Sequence, residues 1–172
     1  MIFKRHSKRK QENEQPQCKI AWGTLNKLGF RFTKHPQDKL LLEKMASTAF
    51  SVFADEIRFP ALDAVFIFRR SEQDAEHGTI EGYANGVKFE DESCSYVLGI
   101  AVEALERGEG YAAAVICHEL AHIEVARAGG DITAHDEAFK KAVRRHVRKY
   151  EKKTGQSLDE YDATGTKLVV NP

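Results

Sequence analysis

The stretch that most constrains this chain runs from Tyr111 to Arg127 and reads Tyr-Ala-Ala-Ala-Val-Ile-Cys-His-Glu-Leu-Ala-His-Ile-Glu-Val-Ala-Arg. Between Ala112 and Ala126 it is almost wholly apolar, the pattern of a helix buried in a core. Inside it stand His118, Glu119 and His122. Polar groups in such a place are costly unless hydrogen-bonded or coordinated. Histidines four apart on a helix lie one above the other, so their imidazoles can converge on one ion. Glu119, about 100° further round, is placed to flank that ion rather than ligate it.

His-Glu-x-x-His is the spacing of the zinc metallopeptidase signature, and the chemistry accounts for it. Zinc held with one open position lowers the pKa of a bound water, and a neighbouring carboxylate takes the proton. In the competing reading both histidines are satisfied within the core and Glu119 escapes to solvent.

Three protein ligands are needed, and the third must come from downstream. A Gly three residues after His122 and a His three further on are absent, since Val125 and Ala128 hold those positions. Both methionines, Met1 and Met45, lie upstream, so no downstream Met-turn exists and the metzincin class is excluded. His135 follows the helix-breaking Gly129-Gly130-Asp131, which would swing it back over the first two ligands. Asp136 and Glu137 compete with it. Glu124 lies about 600° round the helix from His118, off the shared face. His6, His35, His77 and His146 lack partner spacing and read as surface or structural residues.

A length of 172 residues suits one domain with tails. The division expected is a basic tail over 1–17, a domain over 18–153 and a C-terminal tail over 154–172. Three widely spaced cysteines, Cys18, Cys94 and Cys117, exclude a zinc ribbon and argue against a disulfide framework. Cys117 faces away from the ligands and reads as a small buried residue. With no apolar h-region and no membrane-spanning stretch, the expected location is the cytoplasm, without membrane contact. Net charge is zero but unevenly placed: ten Lys/Arg against three Asp/Glu over 1–40, six against sixteen over 41–124, ten against seven thereafter. Basic flanks of this kind would be where DNA touches, or else solvated surface.

The elements expected around the central helix are these. Residues 18–32 rise in apolar content, with Arg31 between Phe30 and Phe32 in a short strand or turn and Trp22 as an anchor. An apolar stripe at steps of three and four predicts a helix from Pro36 to Ile57. Strands follow over Ala64–Arg70, Thr79–Tyr83 and Val87–Phe89, with Asn85-Gly86 as a hairpin turn. Ser95–Val102 reads as a further strand, and its place just before the central helix makes it the expected edge strand for an extended peptide. A last helix is expected from Thr133 to Lys153, and the tail shows no periodicity beyond a Leu168-Val-Val170 run.

His118-Glu-x-x-His122, a loop, then His135-x-x-x-Phe139 resembles the SprT-like metallopeptidases, the SprT and Spartan group. The resemblance covers roughly residues 37–153, its specific part being the two motifs. It implies an α+β, zincin-like (minigluzincin-like) core with a leading helix. It further implies a small, mostly antiparallel sheet with an edge strand, the His-Glu-x-x-His helix and a following ligand-bearing helix. It also implies Zn2+ on His118, His122 and His135, with an aromatic residue, here Phe139, packing beneath. Asp136 stands where the family often has Gly, and the zinc ribbon of some members is missing.

The reaction expected is hydrolysis of a protein or peptide substrate, with Glu119 as general base and Tyr83, Tyr96 and Tyr111 as candidate oxyanion donors. The resemblance implies DNA-associated proteins as substrates. The alternatives are a regulatory protease that cleaves a repressor or antitoxin, and a non-catalytic zinc-stabilised binding module.

Overall fold

The computed structural model describes residues 31–32, 35–57, 62, 64–69, 81–88, 94–161 and 163. Trp22, His6, His77 and the Leu168-Val-Val170 run lie outside them.

The fold is α+β. In chain order it comprises β1 (Arg31–Phe32), α1 (Pro36–Val52), α2 (Ala54–Ile57), β2 (Ala64–Arg69), β3 (Gly82–Lys88), β4 (Cys94–Ala101), α3 (Val102–Glu106), α4 (Glu109–Arg127) and α5 (Glu137–Thr154). The leading helix starts at Pro36, as predicted, with His35 accepting from the Gln37 amide. It stops at Val52, because Phe53 leaves helical geometry (φ −102°, ψ 27°) to bury its ring completely. A four-residue turn, α2, then completes the stretch to Ile57. Asp38 in the first turn of α1 is buried and binds Arg69 at the end of β2 through two hydrogen bonds, 3.2 and 2.5 Å. That ion pair ties the helix to the sheet.

The sheet has the order β1-β2-β4-β3 and is mixed: β2 runs parallel to β4, while β1–β2 and β3–β4 are antiparallel. Two expectations fail here. Ser95–Val102 is not an edge strand, because β4 lies between β2 and β3. Its residues Tyr96 to Ala101 are buried without alternation, as in a strand covered on both faces. The edge beside α4 is β3. Nor is Asn85-Gly86 a turn: the two residues pair with Val97 and Tyr96 in the middle of β3. Gly86 is needed there because a Cβ would come within 2.8 Å of the Tyr96 ring. Local turn preference yields to cross-strand packing.

Helix α4 is the core. Of its residues Gly110 to Cys117 all are buried, as are Leu120, Ala121 and Ile123. It packs on α1, β3, β4 and α5. Cys117 is fully buried and its thiol is pushed well up by burial, which suits a packing role. Helix α5 begins at Glu137, four residues later than expected, because Asp136 is its N-cap. No helix among the described residues is long and apolar enough to cross a membrane.

Gly99 in β4 sits beneath the Phe66 ring, and a Cβ there would lie 2.4 Å from it. Gly99→Ala is therefore expected to lower unfolding free energy by about 1–3 kcal/mol in urea titration, through overpacking. An unchanged midpoint would contradict this packing of β2 on β4.

Candidate metal centre

Three local devices bring His135 back over α4. The helix ends in a Schellman turn: Gly129 takes φ 85°, Gly130 N–H donates to Val125 O (2.9 Å) and Gly129 N–H to Ala126 O (3.0 Å). Asp131 then folds the loop by accepting from both the amide and the hydroxyl of Thr133, each at 2.8 Å. Asp136 finally caps α5 by accepting from Phe139 N–H at 2.9 Å. His135 thus precedes the cap, two residues before the helix within which it was expected.

The result is a convergence of rings. His118 Nε2 lies 3.0 Å from His122 Nε2 and 3.4 Å from His135 Nε2. Ligand atoms of the three residues all fall within 4.8 Å of one another. Nitrogens at the corners of a tetrahedron with bonds of 2.0–2.1 Å would be about 3.3 Å apart. Among the described residues this is the group that can hold an ion. His122 is buried, His118 half-buried and His135 exposed, so the group opens outward on the His135 side. Phe139, fully buried, packs against all three rings at centroid distances of 4.3, 4.7 and 4.9 Å.

The outer nitrogens explain why an ion fits. His118 Nδ1 is 2.9 Å from the Ala163 carbonyl oxygen, which can only accept, so Nδ1 carries the hydrogen and the Nε2 lone pair points inward. At His122 the Ile132 carbonyl favours a proton on the ring, and since Nε2 faces His118 that proton belongs on Nδ1. The second tie is looser, for Nδ1 is buried short of full hydrogen-bond geometry. Burial first, then His118 and His135, pull the His122 pKa down to about 3. Neutral imidazoles are the form that binds metal. The Nε2 atoms of His118 and His122, 3.0 Å apart, are placed to share one cation.

The competing ligands are engaged elsewhere. Asp136 caps α5, Glu137 faces Lys140 and Arg144, and Glu124 pairs with Arg145. His146 is buried against Phe53 and His35 caps α1, both structural as expected.

Glu119 is buried, and burial pushes its carboxyl up to about 8. It fits only because residue 82 is glycine: a Cβ there would stand 2.5 Å from Glu119 Oε1. Glycine inside a strand is a signal of close approach, and it was available in the sequence. The backbone carbonyls of Ala163 and Ile132 had no such signal, because any residue type supplies one.

The three tyrosines are dispersed. Tyr111 is buried at the start of α4 beneath the Arg107 guanidinium (3.5 Å). Tyr96 packs on Gly86 and lies under Arg127 at 5.1 Å. Tyr83 alternates to the opposite face of β3 from Gly82 and packs on Phe66. Its phenol is pushed up by burial and then by the Glu119 charge.

A carboxyl whose pKa is raised on folding binds more protons in the folded state, so stability falls as pH climbs from about 4.5 to about 8. His122 acts oppositely between about 3 and 6.5. In the window from 6.5 to 8 the metal-free protein should therefore lose up to about 1.4 kcal/mol per pH unit. Glu119→Gln should flatten that slope in urea titrations of chelator-treated protein; an equal slope in both proteins would refute the burial of the carboxyl. No protein family, curated protein sequence or solved structure matches this chain, so the chemistry of the centre rests on its geometry.

Proposed function

We propose that the chain is a zinc-dependent endopeptidase of the SprT-like type. The observation that carries this reading is the convergence of three imidazole nitrogens, two from α4 and one from the loop after it, next to a buried carboxylate on the same helix. His118, His122 and His135 would hold the ion through Nε2, with an open side toward solvent past His135. Three histidines without cysteine are the donor set of a catalytic rather than a structural zinc site. A bound zinc ion supplies Lewis acidity toward a scissile carbonyl and makes water a better nucleophile at neutral pH. Phe139 packing against all three rings is the arrangement the resemblance implies for the aromatic residue.

Glu119 takes the general-base role. With a proton affinity near neutrality it can accept a proton from the attacking water and return it to the leaving amine. Gly82 leaves the space in which that carboxylate moves. An extended peptide would pair with the outer edge of β3, the edge strand, in place of the strand assigned from sequence. Main-chain pairing gives affinity with little sequence preference.

The decisive measurement is digestion of an unstructured protein by wild type and Glu119→Gln, beside metal analysis. Glu119→Gln should keep one zinc and lose at least about 100-fold in rate, and chelation should abolish cleavage. Full activity in Glu119→Gln would dismiss the mechanism, and a zinc-loaded wild type without any hydrolysis would favour a binding module. Running the same digestions with single-stranded DNA at two salt concentrations tests the proposal that DNA contacts the basic flanks; no stimulation and no salt-dependent binding would remove it. Within α5, Lys140 and Arg144 already face Glu137, and Arg145 faces Glu124.

Gly82→Ala offers a separate check. The added methyl would displace Glu119 without touching a ligand. Zinc content should stay at one per chain while turnover drops at least tenfold. Normal turnover would mean that the position of Glu119 over Gly82 is immaterial.

A further inference from the structure

The chain beyond α5 returns to the core and reaches the metal centre. Gly155, at φ 75°, turns it out of the helix. Glu151 then accepts from the Leu158 amide at 2.9 Å, and Leu158 is buried to 1% exposure among core residues. Tyr161 sets its ring edge-on to Tyr111, 5.8 Å away. It reaches α4 there because residue 110 is glycine: a Cβ would lie 2.8 Å from the Tyr161 ring. Two residues on, Ala163 is buried beside Phe139, and its carbonyl oxygen meets His118 Nδ1 at 2.9 Å.

We propose that residues 155–161 form a strap whose function is to deliver the Ala163 carbonyl to His118, making Ala163 a positioning residue for the metal centre. This rests on the metal-site reading above. An imidazole on a helix can rotate about its Cα–Cβ and Cβ–Cγ bonds and exist in either tautomer. The Ala163 carbonyl selects the tautomer with hydrogen on Nδ1 and holds the ring with Nε2 toward His122 and His135. The anchors are upstream of the contact: Leu158 in the core and Tyr161 on α4. The strap therefore places a main-chain atom, and side-chain identity at 163 matters only for fit among Phe139 and its neighbours. Partners of this kind, one bond behind a metal ligand, typically change metal affinity by 10–100-fold when removed.

The test compares the full chain with two variants that keep both anchors. One ends at Tyr161; the other is full length with a single glycine inserted between Tyr161 and Asp162, which shifts the Ala163 carbonyl out of register. Zinc affinity is measured by chelator competition, metal-free melting by circular dichroism, and ligand geometry by the visible absorption of the cobalt-loaded protein. Both variants should bind zinc about 10–100-fold more weakly, with an altered cobalt band and an unchanged metal-free melting temperature. Affinity within twofold of wild type would overturn the proposal. So would a loss of affinity matched by a loss of metal-free stability, which marks a purely structural segment. Should the shortened chain fail to fold, the insertion variant decides. A wild-type chain that binds no zinc removes the proposed function itself; a wild type that binds zinc while both variants bind it equally well removes the strap alone.

Discussion

The centre of this protein gathers three imidazole rings on one point, with the His118 Nε2 atom 3.0 Å from that of His122 and 3.4 Å from that of His135. Everything nearby serves to keep them there. The Schellman turn at Gly129-Gly130, the Asp131–Thr133 turn and the Asp136 cap together fix where His135 falls. Phe139 fills the space beneath the rings, so none of them can fold inward. The cost of holding polar rings here is offset by the surrounding packing of α4, which is buried along nearly its whole length.

Burial governs the acid beside the rings in the same way. Glu119 is held in a dry position between α4 and β3, where a charge is unfavourable, and it acquires a proton affinity near neutrality for that reason. The glycine opposite makes the position possible.

Much of this was legible in the residues. The apolar run around His118 and His122 announced a buried helix, and Gly129-Gly130 announced its end, because both signals are local and strong. His135 could be named from the break that precedes it. The sheet was read less well. Asn85-Gly86 carries a turn signature, yet the pair lies mid-strand, because Tyr96 on the neighbouring strand needs the bare Cα of Gly86. The position of Ser95–Val102 in the chain suggests an edge, whereas its uninterrupted apolar run is the mark of an interior strand. Residues 155–161 and Ala163 were opaque for a different reason: their contribution at His118 is a peptide oxygen, and composition says nothing about where a peptide oxygen will point.

The hydrogen bond at His118 joins positions 45 residues apart. Long separations of this sort close late, since the chain entropy lost in bringing distant segments together must be met before the contact is made. The orientation of the first imidazole on α4 is thus set only once the segment carrying Ala163 has docked.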